Sequence, residues 1–404
     1  MTTTVNIPDY SHTAREQLRH VMRTKYQGNF NKKLDPNLKR ELQHGWLLSY
    51  IGEIDRLLWG RWDYWAQCNV MPEHAYSRLK MEPALALIEN RPIEALPKFV
   101  IEETLPKEPI PQITWEYSAS VSKMLDRTLD GISNSSTWRS WGSCWDYIRY
   151  FLKWAFYGLG HPKQPELPPE PRHCEGASMR LYQLFDAGLM LLFPEDYWGR
   201  LIPEITSKSS QQASGFYPTP LHIMEFMTQI VSTKEDDRAS SFYEPCVGTG
   251  SAMLAMSNHC LSGVGQDIDP LLLDCALFQM YLYAPWMAVP IWWLGNTDLL
   301  LGNSLSAEIP TSINAKYWYQ QWGDSDKSED NSDTTEPLPT PVEDNPVPVE
   351  LKQSSTPVAI EKLPPDPQVA KLVKSNKKAP AKKQLNLFDM SAFTSDSPKQ
   401  KRGR

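Results

Sequence analysis

A strand that passes straight into a helix through a glycine turn constrains this chain more than any other feature. The stretch "SFYEPCVGTGSAML", residues 241–254, begins with strand-favouring residues, turns at Gly248, Thr249 and Gly250, and continues as an apolar, helix-prone run. The chain then alternates between "GVGQDI", "PLLLDCALFQMYLYA" and "VPIWWLG", which predict a strand, a helix and a third strand at residues 289–295. Alternation of this kind is typical of an α/β fold with a parallel sheet and helical crossovers. Three strands make only a partial sheet.

The rest of the chain divides around this pattern. Residues 1–165 are rich in tryptophan, show helical periodicity and predict a mainly helical N-terminal region. The proline-rich stretch "HPKQPELPPEPRH" separates this region from a second domain at residues 175–310. Residues 322–404 combine Pro, Ser, acidic and basic residues with few aromatic residues, so the sequence predicts a disordered tail.

Composition excludes several classes of protein. The six cysteines are scattered without a C-x-x-C pair, which argues against a disulfide scaffold or a zinc site. The first residues have no apolar segment typical of a signal peptide, and no apolar run reaches the roughly 18 residues that a membrane span needs. We therefore expect a cytoplasmic protein without a metal and without membrane contact. A net charge of −7 does not by itself indicate a nucleic-acid binder.

The glycine turn has two interpretations. In parallel sheets, ligands bind at the carboxyl ends of the strands, and a turn such as Gly248–Gly250 lets the backbone approach a ligand closely. About twenty residues further on, the next strand ends in Asp267, whose carboxylate suits ribose hydroxyls. The simpler alternative is a tight strand-to-helix turn, with Asp269 as the N-cap and Pro270 at the first position of the next helix. Both interpretations can hold together.

Four motifs together resemble a known family. The four stretches are "GFYPTP", "YEPCVGTGSAML", "GVGQDIDP" and "GNTDLLLGNSL". They follow one another in the order and spacing found in adenine-N6 DNA methyltransferases, of the type that occurs in restriction-modification methylation subunits and in mobile elements. Upstream, "FPEDYWGRLIPEI" is similar to the segment that precedes the Phe/Tyr-Thr-Pro motif in that family. The resemblance covers about residues 178–305. It implies a Rossmann-like S-adenosylmethionine-dependent methyltransferase fold, S-adenosylmethionine as the cofactor and DNA as a partner.

The resemblance also implies roles for individual residues. Three residues would lie against the methionine moiety of the cofactor: Tyr217, Thr219 and Pro220. Four others would form the turn around its amino-acid end: Glu244, Pro245, Gly248 and Gly250. Asp267 would hold the ribose, and Ile268 would lie on the adenine face. Asn296, or alternatively Asn303, would lie near the adenine amino group, where the family more often has Asp.

One expected motif is missing from the sequence. The family orients an extruded adenine with an Asn/Asp-Pro-Pro-Tyr/Phe tetrapeptide after its fourth strand, and no such tetrapeptide follows "GNSL". The catalytic residues are therefore unknown, and the first strand keeps a free edge. We expect something to cover that edge. One candidate is a strand within residues 97–118, at 98–104 or 112–118. The alternative is a second polypeptide that supplies the catalytic half.

The tail contains one apolar pentapeptide, "QLNLF". Gln384, Leu385, Leu387 and Phe388 resemble the peptide by which bacterial replication and repair proteins bind the DNA polymerase sliding clamp. A chance apolar cluster is the alternative, although such a cluster in a polar tail usually marks a docking segment. Two functions stay open: an adenine-specific DNA methyltransferase, and an inactive methyltransferase fold that acts as an adaptor on the clamp or as one half of a split enzyme.

Overall fold

The computed structural model describes most of the chain before residue 328. The described residues are 11–25, 43–70, 102–133, 144–205, 216–232, 238–295, 297–306 and 309–327. They all belong to one compact unit, Met1–Thr334. The clamp-like peptide at 384–388 lies outside the described residues, and so does Asn296. Within the described residues, no helix has the length and apolar character that a membrane crossing requires.

The described helices and strands follow one another in an order that starts helical and then alternates. The helices before the sheet are α1 (His12–Lys25), α2 (Trp46–Leu58), α3 (Arg61–Asn69), α4 (Ala119–Asp130), α5 (Cys144–Gly158), α6 (Ala177–Leu184), α7 (Ala187–Leu192), α8 (Tyr197–Ile205) and α9 (Leu221–Val231). The alternating part is β1 (Ser241–Glu244), α10 (Ser251–Met256), β2 (Ser262–Asp267), α11 (Pro270–Tyr283), α12 (Pro285–Ala288), β3 (Asp298–Leu301), β4 (Thr311–Ser312) and α13 (Ala315–Lys327).

The strands form one sheet in the order β1-β2-β3-β4. β1 pairs parallel with β2, and β2 pairs parallel with β3, so that Gly265 has Leu299 as its neighbour. β4 pairs antiparallel with β3. The protein is thus a mixed, mostly helical structure around an open four-stranded sheet. The parallel strands and their helical connections agree with the α/β prediction, whereas the prediction of only three strands is wrong.

The predicted third strand at residues 289–295 is also wrong. These residues form turns, and the third strand is β3, which begins at Asp298. The indoles explain the difference, because Trp292 Nε1 donates to the carbonyl of Asn69 and Trp293 Nε1 donates to the carbonyl of Cys68, at 3.2 and 2.7 Å. An apolar run that resembled a buried strand instead anchors the chain to the end of α3.

The segment expected to cover the first strand does not do so within the described residues. Residues 102–104 form a helical turn, and residues 105–118 contain no strand, so the predicted strand at 112–118 is wrong. Instead, Asn258 exchanges two hydrogen bonds with the backbone of Ile113, at 3.0 Å each. The segment therefore packs on the loop before β2, and β1 remains an edge strand of the described sheet.

The core is built around α11, whose whole circumference is buried from Leu271 to Tyr283 except for Asp274. A helix that is apolar all round needs neighbours on every side. The N-terminal helices supply them: Phe151 of α5 contacts both Trp198 and Phe278 with ring centroids 5.7 and 5.4 Å apart. The tryptophans Trp154 and Trp198 are likewise fully buried.

The predicted tail begins too early. Trp322, the first residue predicted to be disordered, lies inside α13. Two observations explain the helix: Asp298 Oδ1 accepts a hydrogen bond from Ala315 N at 2.8 Å, and Tyr319 packs edge-on against Trp322 at 5.2 Å. The acidic residues that follow Trp322 suggested disorder, but the aromatic residues before them hold this helix on the core.

Candidate functional site

A cleft of about 220 Å³ opens at the carboxyl ends of β1 and β2. It brings together six residues that the resemblance assigned to the cofactor: Tyr217, Thr219, Glu244, Gly248, Asp267 and Ile268. The other assigned residues are placed differently. Pro245 and Gly250 belong to the same turn without lining the cleft, Pro220 lines a neighbouring cavity, and Asn303 follows β3 outside the cleft lining.

The turn between β1 and α10 is fixed by its own hydrogen bonds. Val247 N donates to Gln266 O at 2.9 Å, which ties the turn to β2, and Cys246 N donates to the Glu244 carboxylate at 3.1 Å. Gly250 has a φ of 99°, and an added Cβ would lie 3.1 Å from the Cβ of Ala276. Glycine is required here both for the left-handed backbone and for the close approach of α10 to α11.

Asp267 connects the turn with the start of α11. One oxygen of its carboxylate accepts from Gly248 N at 2.8 Å, and the other accepts from Asp269 N at 3.0 Å. Asp269 in turn accepts from Leu271 N at 2.8 Å, so the predicted N-cap with Pro270 at the first helical position is confirmed. The Asp267 carboxylate is therefore held at the floor of the cleft with further lone pairs left to accept donors.

A buried carboxylate behind the turn was missed by the sequence reasoning. Asp196 is only 4% exposed. One of its oxygens accepts from Thr249 Oγ1 at 2.7 Å and Ser251 Oγ at 2.6 Å; the other accepts from Gln279 Nε2 at 2.9 Å and Gly199 N at 2.8 Å. Only the bond to Gly199, three residues away, could have been expected from the sequence, as an N-cap at the start of α8.

A second cavity of about 420 Å³ adjoins the cleft and shares Pro218 and Thr219 with it. Glu195 lines this cavity, and burial raises the pKa of its carboxyl despite the Arg200 guanidinium 3.4 Å away. Burial, together with the charge of Glu195, also raises the pKa of Glu225 on α9. Arg200 lies over the ring of Tyr117 at 4.5 Å, so the cation is held against the segment that precedes α4.

The rim of the cleft is apolar and exposed. Tyr217 before α9 and Ile268 after β2 both line the cleft and are largely exposed. Exposed large apolar side chains beside a polar floor are typical of a site that accepts a flat, partly apolar ligand. Cys246 is also exposed at this cleft, whereas the other five cysteines are buried.

Comparisons with known proteins identify no family. No family model matches the chain, and no curated protein matches it. A solved structure that matches is the type I restriction-modification system methyltransferase subunit from Streptococcus thermophilus, at 16% identity and a TM-score of 0.26. The match covers 74% of this chain and 60% of that subunit, so the chain spans less than two thirds of the subunit's length. A similarity at this TM-score carries no argument.

Proposed function

We propose that the cleft binds S-adenosylmethionine and that the chain is a DNA-methyltransferase-like protein of the adenine-N6 type. The charge of the cleft supports this most directly. Its described lining carries the carboxylates of Glu244, Asp267 and Asp269 and neither Lys nor Arg. S-adenosylmethionine brings a sulfonium and an ammonium, which such a lining attracts, whereas the phosphates of a dinucleotide would be repelled. S-adenosylmethionine also has a carboxylate but keeps a net positive charge, so the acidic lining favours a methyl donor over a dinucleotide at this glycine turn.

The positions of the cleft residues support the same ligand. Asp267 has lone pairs left for ribose hydroxyls after accepting its two backbone N–H groups. Ile268 follows it directly and offers an apolar surface to the adenine ring. Tyr217 also lines the cleft, and the methionine part would extend past it toward Glu244.

Methyl transfer to adenine demands more than this cleft offers. Bound S-adenosylmethionine would supply a methyl carbon to the adenine amino nitrogen and would leave as a neutral thioether, while the nitrogen would lose one proton to an acceptor such as water. The amino group has to be oriented by acceptors and the base stacked on an aromatic ring, and the sequence lacks the Asn/Asp-Pro-Pro-Tyr/Phe motif that would do this. We therefore expect cofactor binding without useful methyl transfer by this chain alone.

Cys246 provides a test of binding at the proposed site. We expect saturating S-adenosylmethionine to slow alkylation of Cys246 by N-ethylmaleimide at least about tenfold, because the thiol lies in the cleft that the ligand would fill. ATP is the matched adenosine-containing control and should give no protection. Mass spectrometry of the labelled peptide measures the rate. Equal rates with and without S-adenosylmethionine, or equal protection by ATP, would contradict the proposal.

Transfer itself is tested separately. The purified chain, mixed-sequence DNA and methyl-labelled S-adenosylmethionine should yield no labelled N6-methyladenine above the background of the DNA alone. Clear labelling would show that the chain contains base-binding residues that the sequence did not reveal.

A second candidate function is an adaptor on the sliding clamp, or one half of a split methyltransferase. The missing base-binding motif favours it, because a cofactor site without that motif cannot select a base. The adaptor form rests on "QLNLF", and a lone peptide of this kind is expected to bind with an affinity on the order of micromolar.

A fluorescent peptide of residues 378–392 should bind the clamp, and replacing Leu387 and Phe388 by alanine should abolish binding. Equal polarisation of the two peptides would make the pentapeptide a coincidence.

A further inference from the structure

Two hydroxyl groups stand between the Asp196 carboxylate and the cleft. Thr249 and Ser251 line the cleft, whereas Asp196 lines the neighbouring cavity. One carboxylate oxygen, Asp196 Oδ2, accepts from Thr249 Oγ1 at 2.7 Å and from Ser251 Oγ at 2.6 Å. All three residues are buried, and hydrogen bonds shielded from water in this way are electrostatically strong. Asp196 can therefore act on a ligand in the cleft through Thr249 and Ser251.

The direction of these two hydroxyl bonds is fixed. A carboxylate oxygen has lone pairs but no hydrogen, so each hydroxyl has to donate its single hydrogen to Asp196. Each hydroxyl oxygen is then left with lone pairs alone. A ligand atom that bonds to Thr249 Oγ1 or Ser251 Oγ in the cleft must therefore be a donor.

The second oxygen of Asp196 is held by donors that cannot be reversed. Oδ1 accepts from Gly199 N at 2.8 Å and from Gln279 Nε2 at 2.9 Å. Gln279 Oε1 accepts from Tyr197 N at 3.1 Å, and Gln279 Nε2 also donates to Thr249 O at 2.8 Å, which fixes the orientation of the amide. The carboxylate is thus locked with Oδ2 directed at the two hydroxyls.

The charges of the cleft favour the same kind of partner. Its described lining also carries the carboxylates of Glu244, Asp267 and Asp269, which accept hydrogen bonds and cannot donate them. An anionic group placed at the two hydroxyls would find acceptors there and would be repelled by these carboxylates. An ammonium group brings three N–H donors and the opposite charge.

The proposed cofactor has one group left for this position. This step rests on the proposed binding of S-adenosylmethionine, in which Asp267 holds the ribose hydroxyls and Ile268 lies on the adenine ring. The ammonium group of the methionine part is the donor that remains for Thr249 and Ser251.

We propose that Asp196 is a positioning residue of the cleft, which holds the hydroxyls of Thr249 and Ser251 as acceptors for the ammonium group of S-adenosylmethionine. The cleft then distinguishes ligands by whether they carry an amine at this end. Asp196 itself does not touch the ligand. Its effect on ligand preference is separate from the support that it gives to the glycine turn.

Asp196→Asn reverses the two hydroxyls. The amide oxygen keeps the N–H donors of Gly199 and Gln279, which places the amide NH₂ opposite Thr249 and Ser251. Each hydroxyl then accepts from the amide and is free to turn its own hydrogen toward the cleft, where it repels an ammonium group. A purely structural role of Asp196 would instead weaken the binding of all ligands alike.

Calorimetric titration of the full chain with two ligands tests the proposal: S-adenosylmethionine and its analogue in which hydrogen replaces the α-amino group. We expect S-adenosylmethionine to bind at least about tenfold more tightly, because the analogue leaves charge-assisted hydrogen bonds unmade. Asp196→Asn should reduce this preference at least about fivefold. Asp146→Asn is the control for the loss of one negative charge, since Asp146 is 72% exposed, and it should keep the preference.

A pair of substitutions at Thr249 separates the hydroxyl from the charge of Asp196. Thr249→Val has a similar shape without the hydroxyl and should reduce the preference at least about threefold, whereas Thr249→Ser keeps the hydroxyl and should retain it. Urea unfolding of each variant shows whether it is folded, and the Thr249 pair decides alone if Asp196→Asn is not.

Three results would overturn the proposal. Equal affinities of the native chain for the two ligands would do so and would leave S-adenosylmethionine as the ligand of the cleft. An unchanged preference in folded Asp196→Asn or in folded Thr249→Val would remove the role of the hydroxyls. A folded native chain that binds neither ligand would contradict the proposed function itself, and this inference with it.

Discussion

Asp196→Ala removes the acceptor that holds the glycine turn from behind. Four donors lose their partner: two hydroxyls, of Thr249 and Ser251, and two N–H groups, of Gln279 and Gly199. The hydroxyls can rotate to other acceptors, but the two N–H groups are fixed by the fold. A buried unsatisfied polar group costs about 1–3 kcal/mol, so we expect a loss of about 2–5 kcal/mol of unfolding free energy.

Asp196→Asn is the informative companion to this variant. The amide oxygen keeps the two N–H donors, and both hydroxyls can turn to accept from the amide NH₂. The expected loss is only about 1 kcal/mol. Asp146→Ala serves as the control, because Asp146 is 72% exposed and its pairing with Arg149 should contribute less than about 1 kcal/mol.

Urea unfolding at 25 °C, followed by tryptophan fluorescence, measures these differences. An Asp196→Ala protein as stable as the native protein would refute the hydrogen-bond account of the turn. Equal losses in the Ala and Asn variants would show that the negative charge, rather than the acceptor geometry, stabilises the site.

Three further predictions concern the backbone and one buried acid. Gly250→Ala should lower the unfolding free energy by roughly 1–3 kcal/mol in urea titrations, because φ is 99° and the new Cβ meets α11 at 3.1 Å. Gly52→Ala in α2 should raise the unfolding free energy by about 0.5–1 kcal/mol in the same assay, because alanine favours a helix more than glycine and nothing lies within 4 Å of the new Cβ. A lower unfolding free energy for this variant would contradict that reasoning. Burial raises the pKa of Asp55 to about 7, against a hydrogen bond from Trp62 N that lowers it. Between about pH 4 and 7, Asp55 is therefore protonated in the folded state and ionised in the unfolded state. The unfolding free energy should fall by about 2–4 kcal/mol as the pH rises through that range. Asp55→Asn should remove this slope, and an unchanged slope would exclude Asp55 as its source.

Local patterns in the sequence predicted the parts of the site that depend on neighbouring residues. The glycine turn, the cap at Asp269 and the position of Asp267 at the end of β2 each involve a strand, a turn and the next helix. Asp196 could not be found in this way, because three of its four donors come from residues more than fifty positions away. Its role is visible only once α8, α10 and α11 are packed together.

The errors in the fold have the same origin. The run at residues 289–295 has the composition of a strand, but the indoles of Trp292 and Trp293 find acceptors on α3, and this tertiary contact decides the conformation. β3 was not predicted because its sequence, "DLLL", is a short apolar run that is equally compatible with a helix, whereas β1 has aromatic residues that favour a strand. The Rossmann-like classification and the division into N-terminal and cofactor-binding domains stay predictions.

Calorimetric titration of the full chain with S-adenosylmethionine tests the central claim most directly. We predict one binding site per chain. Asp267→Ala should weaken binding by roughly 1–3 kcal/mol, because ribose hydroxyls lose their acceptor. The stability of the unliganded variant is measured alongside, since the same carboxylate also accepts from Gly248 N. The absence of heat and of any thermal shift at millimolar S-adenosylmethionine, in a chain that is folded, would contradict the account.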